Sequence, residues 1–151
     1  MGETQPQLVT GPRGALRIWE AAPGVFLTHV TGNFHAEFVS PFTRAFSRVI
    51  RNRTADGFHD WAAMDGYDVD ARVALTRWAV ESRGAFASVH FLVTSTIVRL
   101  GVQSANVAVG GVMQVYSERA PFERAFTQRA GVMLKAFVVA ERPAPTPRPR
   151  A

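Results

Sequence analysis

The sequence predicts an α/β fold, one domain in which helices pack on a mixed β-sheet, and three observations predict it. Apolar or alternating runs (Ala15–Ala21, Val25–Thr31, Phe58–Met64, Ser88–Thr94, Val112–Tyr116) recur between stretches of helical spacing. From the second run onward strand and helix patterns alternate, giving the order ββαβαβαβα that builds a sheet with crossover helices. The length of 151 residues, 47% of them hydrophobic and 19% charged, suits one core and is far from the composition of disordered chains.

Residues 1–13 are polar, carry Pro6 and Pro12, and read as a loose leader. The first two strands meet at Pro23-Gly24, a turn signal. Phe38, Phe42, Ala45, Phe46, Val49 and Ile50 form the stripe of an amphipathic helix, with Pro41 in the first turn, where its missing N–H costs little. Phe58–Met64, bounded by Asp56-Gly57 and Asp65-Gly66, is a candidate inner strand. A second helix starts near Asp68, whose carboxylate suits the free N–H groups of a first turn, and stops before Gly84. Ser95 or Thr96 caps a third helix, and Pro121–Arg129 forms a fourth. Val132–Val139 fits a helix extension and an edge strand equally. Residues 142–151 carry proline at every second position, which forbids helix and favours an extended tail, so the folded body spans 14–141.

Several function classes are excluded or disfavoured. With no cysteine, disulfides, thiolate metal sites and cysteine nucleophiles are ruled out. His29, His35, His59 and His90 show no metal-ligand spacing, and neither a metal nor a cofactor is expected. No Gly-x-Ser-x-Gly elbow, P-loop or dinucleotide fingerprint occurs. The net charge of +5 is scattered and partly in the tail, which argues against nucleic acid as a partner. The start lacks a secretory signal and no apolar run approaches the roughly 18 residues of a membrane span, so a cytoplasmic location is the default.

Val25-Phe-Leu-Thr-His-Val-Thr-Gly, the Phe38–Ile50 helix, His59-Asp-Trp with Gly66-Tyr67, Val89-His-Phe-Leu-Val-Thr-Ser, and Val115-Tyr with Phe122-Glu-Arg-Ala-Phe resemble, in order and spacing, the STAS/SpoIIAA-like domains. These share their layout with the lipid-binding CRAL-TRIO domains, and the resemblance covers about residues 15–130. It implies a bacterial regulatory or assembly module that binds a partner protein. In phosphoregulated members the switch is a serine or threonine opening the helix after an Asp-containing inner strand. Here that loop reads Met64-Asp-Gly-Tyr-Asp, and Asp65 stands where the switch hydroxyl would be, as a helix-dipole partner or a fixed charge.

The most informative cluster is therefore Asp60, Asp65, Tyr67, Asp68 and Arg72, around one strand-to-helix turn, with Ser95 and Thr96 at the next helix start. In open α/β sheets such carboxyl edges are where ligands and partners dock. The bland alternative is that the aromatics fill core while Arg72 pairs with a nearby aspartate. The expected function is non-enzymatic binding of a partner protein. Two alternatives are a binder of a small hydrophobic ligand, in a groove of Phe34, Phe38, Phe42 and the third helix, and an enzyme using Asp60, Asp65, His59 or His90 as acid and base. His59 and Asp60, as strand neighbours, point to opposite faces. Gly101, Ala105 and Gly110 offer a small-residue surface for a homo-oligomer.

Overall fold

The computed structural model describes residues 5–50 and 53–138. Six strands lie side by side in chain order: β1 (Gln7–Gly11), β2 (Gly14–Ala22), β3 (Val25–Phe34), β4 (Ala55–Tyr67), β5 (Phe86–Val93) and β6 (Met113–Tyr116). The first three are antiparallel and β3 to β6 parallel. Pro23 and Gly24 join β2 to β3, Gly24 taking the positive φ of 74° that closes such a turn without a Cβ penalty. The parallel strands are linked by α1 (Val39–Ile50), α2 (Val69–Glu81) and α3 (Thr96–Ala108), and α4 (Arg119–Ala130) follows β6.

Successive crossovers between neighbouring parallel strands keep one hand and so put α1, α2 and α3 on one side of the sheet. Strand alternation then makes two cores. Phe26, Val30, Trp61, Phe91 and Val93 pack against Phe42 and Phe46 of α1, Ala71 of α2, and Val98 and Val102 of α3. On the other face Trp19, Leu27, Phe58 and Leu92 pack against Phe122 and Phe126 of α4. With both faces covered, β3 and β4 read as near-continuous buried runs.

Four expectations are corrected. The stretch read as a loose leader contains β1, which pairs with β2 from Gln7 to Gly11; a five-residue edge strand of mixed exposure leaves little hydrophobic pattern. Strand β4 does not stop before Asp65-Gly66: β3 continues through Asn33 and Phe34, which pair with Gly66 and Tyr67, so the supposed turn is strand. Asp68 is the N-cap residue of α2, but its carboxylate makes no cap bond there. Residues 134–136 form a short 3-10 turn that buries Leu134, with Val138 buried beyond it, and neither a helix extension nor an edge strand forms up to residue 138. The proline-rich tail lies outside the described residues.

Candidate functional site

The carboxyl edge of the parallel strands brings the starts of α1, α2 and α3 together. Asp68 ties the first two: its carboxylate accepts from the backbone N–H of Ala36 and from the Asn33 side-chain amide, both at 2.9 Å, beside His35 at 3.6 Å. The Ala36 N–H, then Asn33, hold its carboxyl below the usual range. The tie to the loop before α1 is what replaces the expected cap. Tyr67, the last residue of β4, joins the end of that strand to α3 by donating to the Ile97 carbonyl at 3.4 Å. Its ring lies over Gly101, where a Cβ would sit 2.9 Å from the ring, so a bare Cα is what admits the tyrosine. Ser95 is the N-cap of α3 and accepts from Val98 N–H at 3.5 Å, while Thr96 is its exposed first residue.

Behind this edge, between the sheet and helices α2 and α3, lies a pocket of about 80 Å³. Phe34, Phe42, Trp61 and Phe91 line it from the strands and α1, with Leu75 and Trp78 from α2 and Val98, Gly101, Val102 and Ala105 from α3. Phe38 of the expected groove is buried in the neighbouring core instead. Tyr67 and Arg72 also line the pocket, and Arg72 forms no ion pair among the described residues, contrary to the aspartate pairing that was the bland alternative. Gly101 and Ala105, read from the sequence as part of a small-residue surface, line this pocket.

His59 lies in the pocket wall, 3% exposed, against the Phe42 and Phe91 rings. Thr28 connects it to Trp61: Trp61 Nε1–H donates to Thr28 Oγ1 at 3.1 Å, and Thr28 Oγ1 lies 2.7 Å from His59 Nδ1. Burial, and to a lesser extent the charge of nearby His90, push the His59 imidazole down to about 3, so it is neutral at ordinary pH.

Asp60, one residue on, faces α4, fully buried, and pairs with Arg119 at 2.8 Å, so it leaves the cluster assigned to it from sequence. Asp65 is exposed at the end of β4. It precedes the α2 cap by three positions, which removes the helix-dipole role inferred for it. The α4 face carries a second polar set, not legible in the sequence. Arg129 pairs with Asp56, Asp56 lies 2.6 Å from Ser88 Oγ, Ser88 lies 3.0 Å from His90 Nε2, and His90 Nδ1 lies 2.9 Å from Tyr116 Oη. The strand register that puts Asp56 opposite Ser88 assembles this chain. His90 stacks on Phe58 with centroids 4.3 Å apart; burial lowers its pKa, against a smaller upward pull from Asp56. Among the described residues no group of three or more potential metal ligands converges, and no helix is long and apolar enough to cross a membrane.

This architecture is similar to the crystal structure of an uncharacterised DUF3478 protein from Shewanella loihica, described as having a SpoIIAA-like fold. The TM-score is 0.56 at 12% identity, over 76% of this chain and 95% of that one. The fold is SpoIIAA-like. No protein-family model and no curated protein matches the sequence.

Proposed function

We propose that this SpoIIAA-like domain is a non-enzymatic binding module for a small, mainly apolar molecule held between the sheet and helices α2 and α3. The observation that carries the reading is the pocket itself. A half-open pocket of about 80 Å³ with aromatic and aliphatic walls offers apolar surface that a small apolar ligand would take out of water. Native mass spectrometry of the protein purified from cells tests it, together with thermal shift against small apolar compounds. The expected result is a bound mass, or a rise in Tm that Ala105→Met abolishes by filling the space. Absence of both from the wild-type protein overturns the reading.

A second reading, a partner protein docking on the carboxyl edge, is favoured by one observation. Val69, Ile97 and Leu100 are 63%, 55% and 58% exposed beside Tyr67 and Thr96. Exposed aliphatic side chains grouped at two helix starts suit a partner with an apolar contact of its own. Pull-down with Asp65→Lys and Tyr67→Ala variants checks it; unchanged partner recovery means that this surface is not the docking site.

A further inference from the structure

His35 is buried where the turn of the opening hairpin meets the loop before α1, and both of its ring nitrogens have placed neighbours. Nε2 receives the backbone N–H of Arg13 at 3.2 Å. A backbone N–H can only donate, so Nε2 carries no proton. An imidazole keeps at least one, which is therefore on Nδ1, the nitrogen 3.6 Å from Asp68 Oδ2. The Asn33 side-chain nitrogen lies 3.3 Å from Nδ1 but has its own acceptor in Asp68 Oδ1 at 2.9 Å. Arg13 ends the two-residue turn between β1 and β2, and its carbonyl accepts from Asn33 N–H at 3.0 Å, so its backbone is held on both sides. The ring has little room to turn away. A Cβ on Gly11 would sit 2.5 Å from His35 Cδ2, and Phe38 meets the ring edge-on with centroids 5.3 Å apart.

We propose that His35 is an acid-operated latch between the opening hairpin and the start of α2. A second proton has one place to go, Nε2, and an N–H there meets the Arg13 N–H donor to donor. The bond to the hairpin turn must then break. The imidazolium formed in its place gains a charge-assisted attraction to Asp68, which stands at the N-cap of α2. Asp68 is ready for it, because the Ala36 N–H, then Asn33, keep its carboxyl ionised. The charged side chain beside the ring is that of Asp68; the hairpin contributes the backbone of Gly11 and Arg13, and the stretch before α1 contributes Asn33 and Phe38. Acid thus moves the hold of His35 from the Pro12-Arg13 turn to α2. Neither the pocket nor a ligand in it takes part.

Nitrogen-15 NMR of the full chain, from about pH 7.5 down to about 4.5, reads both ends of the latch. At the neutral end His35 should show the Nδ1–H tautomer with Nε2 bare. As acid is added, the Arg13 amide signal should shift in step with the His35 ring, while the amides of β3 and β5 stay in place. Asp68→Asn should move this paired transition to lower pH, because the imidazolium loses its carboxylate. If Asp68→Asn does not fold, the wild-type transition decides alone. An Nε2–H tautomer at neutral pH overturns the latch. So does an Arg13 amide that stays still while the ring takes up its proton, or that moves only with the whole spectrum, and so does a ring that stays neutral until the chain unfolds. An unchanged transition in folded Asp68→Asn overturns the transfer to α2.

Discussion

Both faces of the sheet are covered, the larger core lying under α1, α2 and α3, but they are held by different physics. Under α1, α2 and α3 the contacts are mostly apolar, with one short polar chain of Trp61, Thr28 and His59 and a void beside it. Under α4 the apolar contacts of Phe58, Phe122 and Phe126 lie between two Arg–Asp pairs. Arg119 and Arg129 are ten residues apart on α4, about 15 Å along a helix, and Asp56 and Asp60 are four apart on β4, about 13 Å along a strand. The matched lengths, with opposite order, clamp α4 antiparallel to β4 at both ends. Apolar packing is non-directional; ion pairs fix position. The pocket lies on the apolar face, and the other face is fixed in position at both ends of α4.

Breaking the clamp should give the largest effect. Arg119→Ala leaves fully buried Asp60 without its partner and should cost about 3 kcal/mol, read by urea unfolding. Arg129→Ala should cost distinctly less, because that arginine is more than half exposed and its pair is screened. Equal losses would mean that the ends of α4 are not held differently.

Acid should expose the face with the buried imidazole. The folded pKa of His59, about 3, lies below the unfolded value of 6.5, so the unfolded chain takes up the proton first. Its effect is absent above about pH 6.5, and stability falls by up to about 1.4 kcal/mol per pH unit as pH drops from there toward 3. His90, also lowered, adds in the same direction. Chemical unfolding of wild type and His59→Leu between pH 7.5 and 4.5 should show a shallower slope for the variant; parallel slopes would remove the buried neutral imidazole.

Filling the void should work in the opposite sense to cutting the clamp. Ala105→Met adds apolar atoms to existing space and should stabilise by about 0.5–1 kcal/mol, while blocking ligand. A destabilised variant would show that the space closes in solution. The smallest effect belongs to Asp65→Lys, at an exposed strand end, expected within about 0.5 kcal/mol of wild type by thermal unfolding. A larger loss would give Asp65 a structural role that its exposure denies.

Sequence patterning carried the alternation of strands and helices well, because the central strands and the α1 stripe have strong periodicity. It missed β1, whose edge position demands little apolar character, and it cut β4 short, because Asp65-Gly66 resembles a turn until Asn33 is seen paired beside it. Asp68, Ser95 and Thr96 were legible as one edge, since they open successive helices, and Tyr67 falls there as the last residue of β4. Asp60 was misplaced by reading chain proximity as proximity in space: strand alternation sends it to α4. The chain from Arg129 to Tyr116 and the pocket beside His59 depend on register between separate strands, which no local pattern encodes.

The order of the strands across the sheet is the order in which they are synthesised. Each strand finds its neighbour already made, and no segment must wait for a distant one to complete a ladder. Only the two antiparallel pairings are local; each parallel pairing must close a loop through its crossover helix, so those steps are the slow ones. A chain emerging from the ribosome would close the opening antiparallel hairpins first, add one strand-helix unit at a time, and finish by laying α4 across strands already in place.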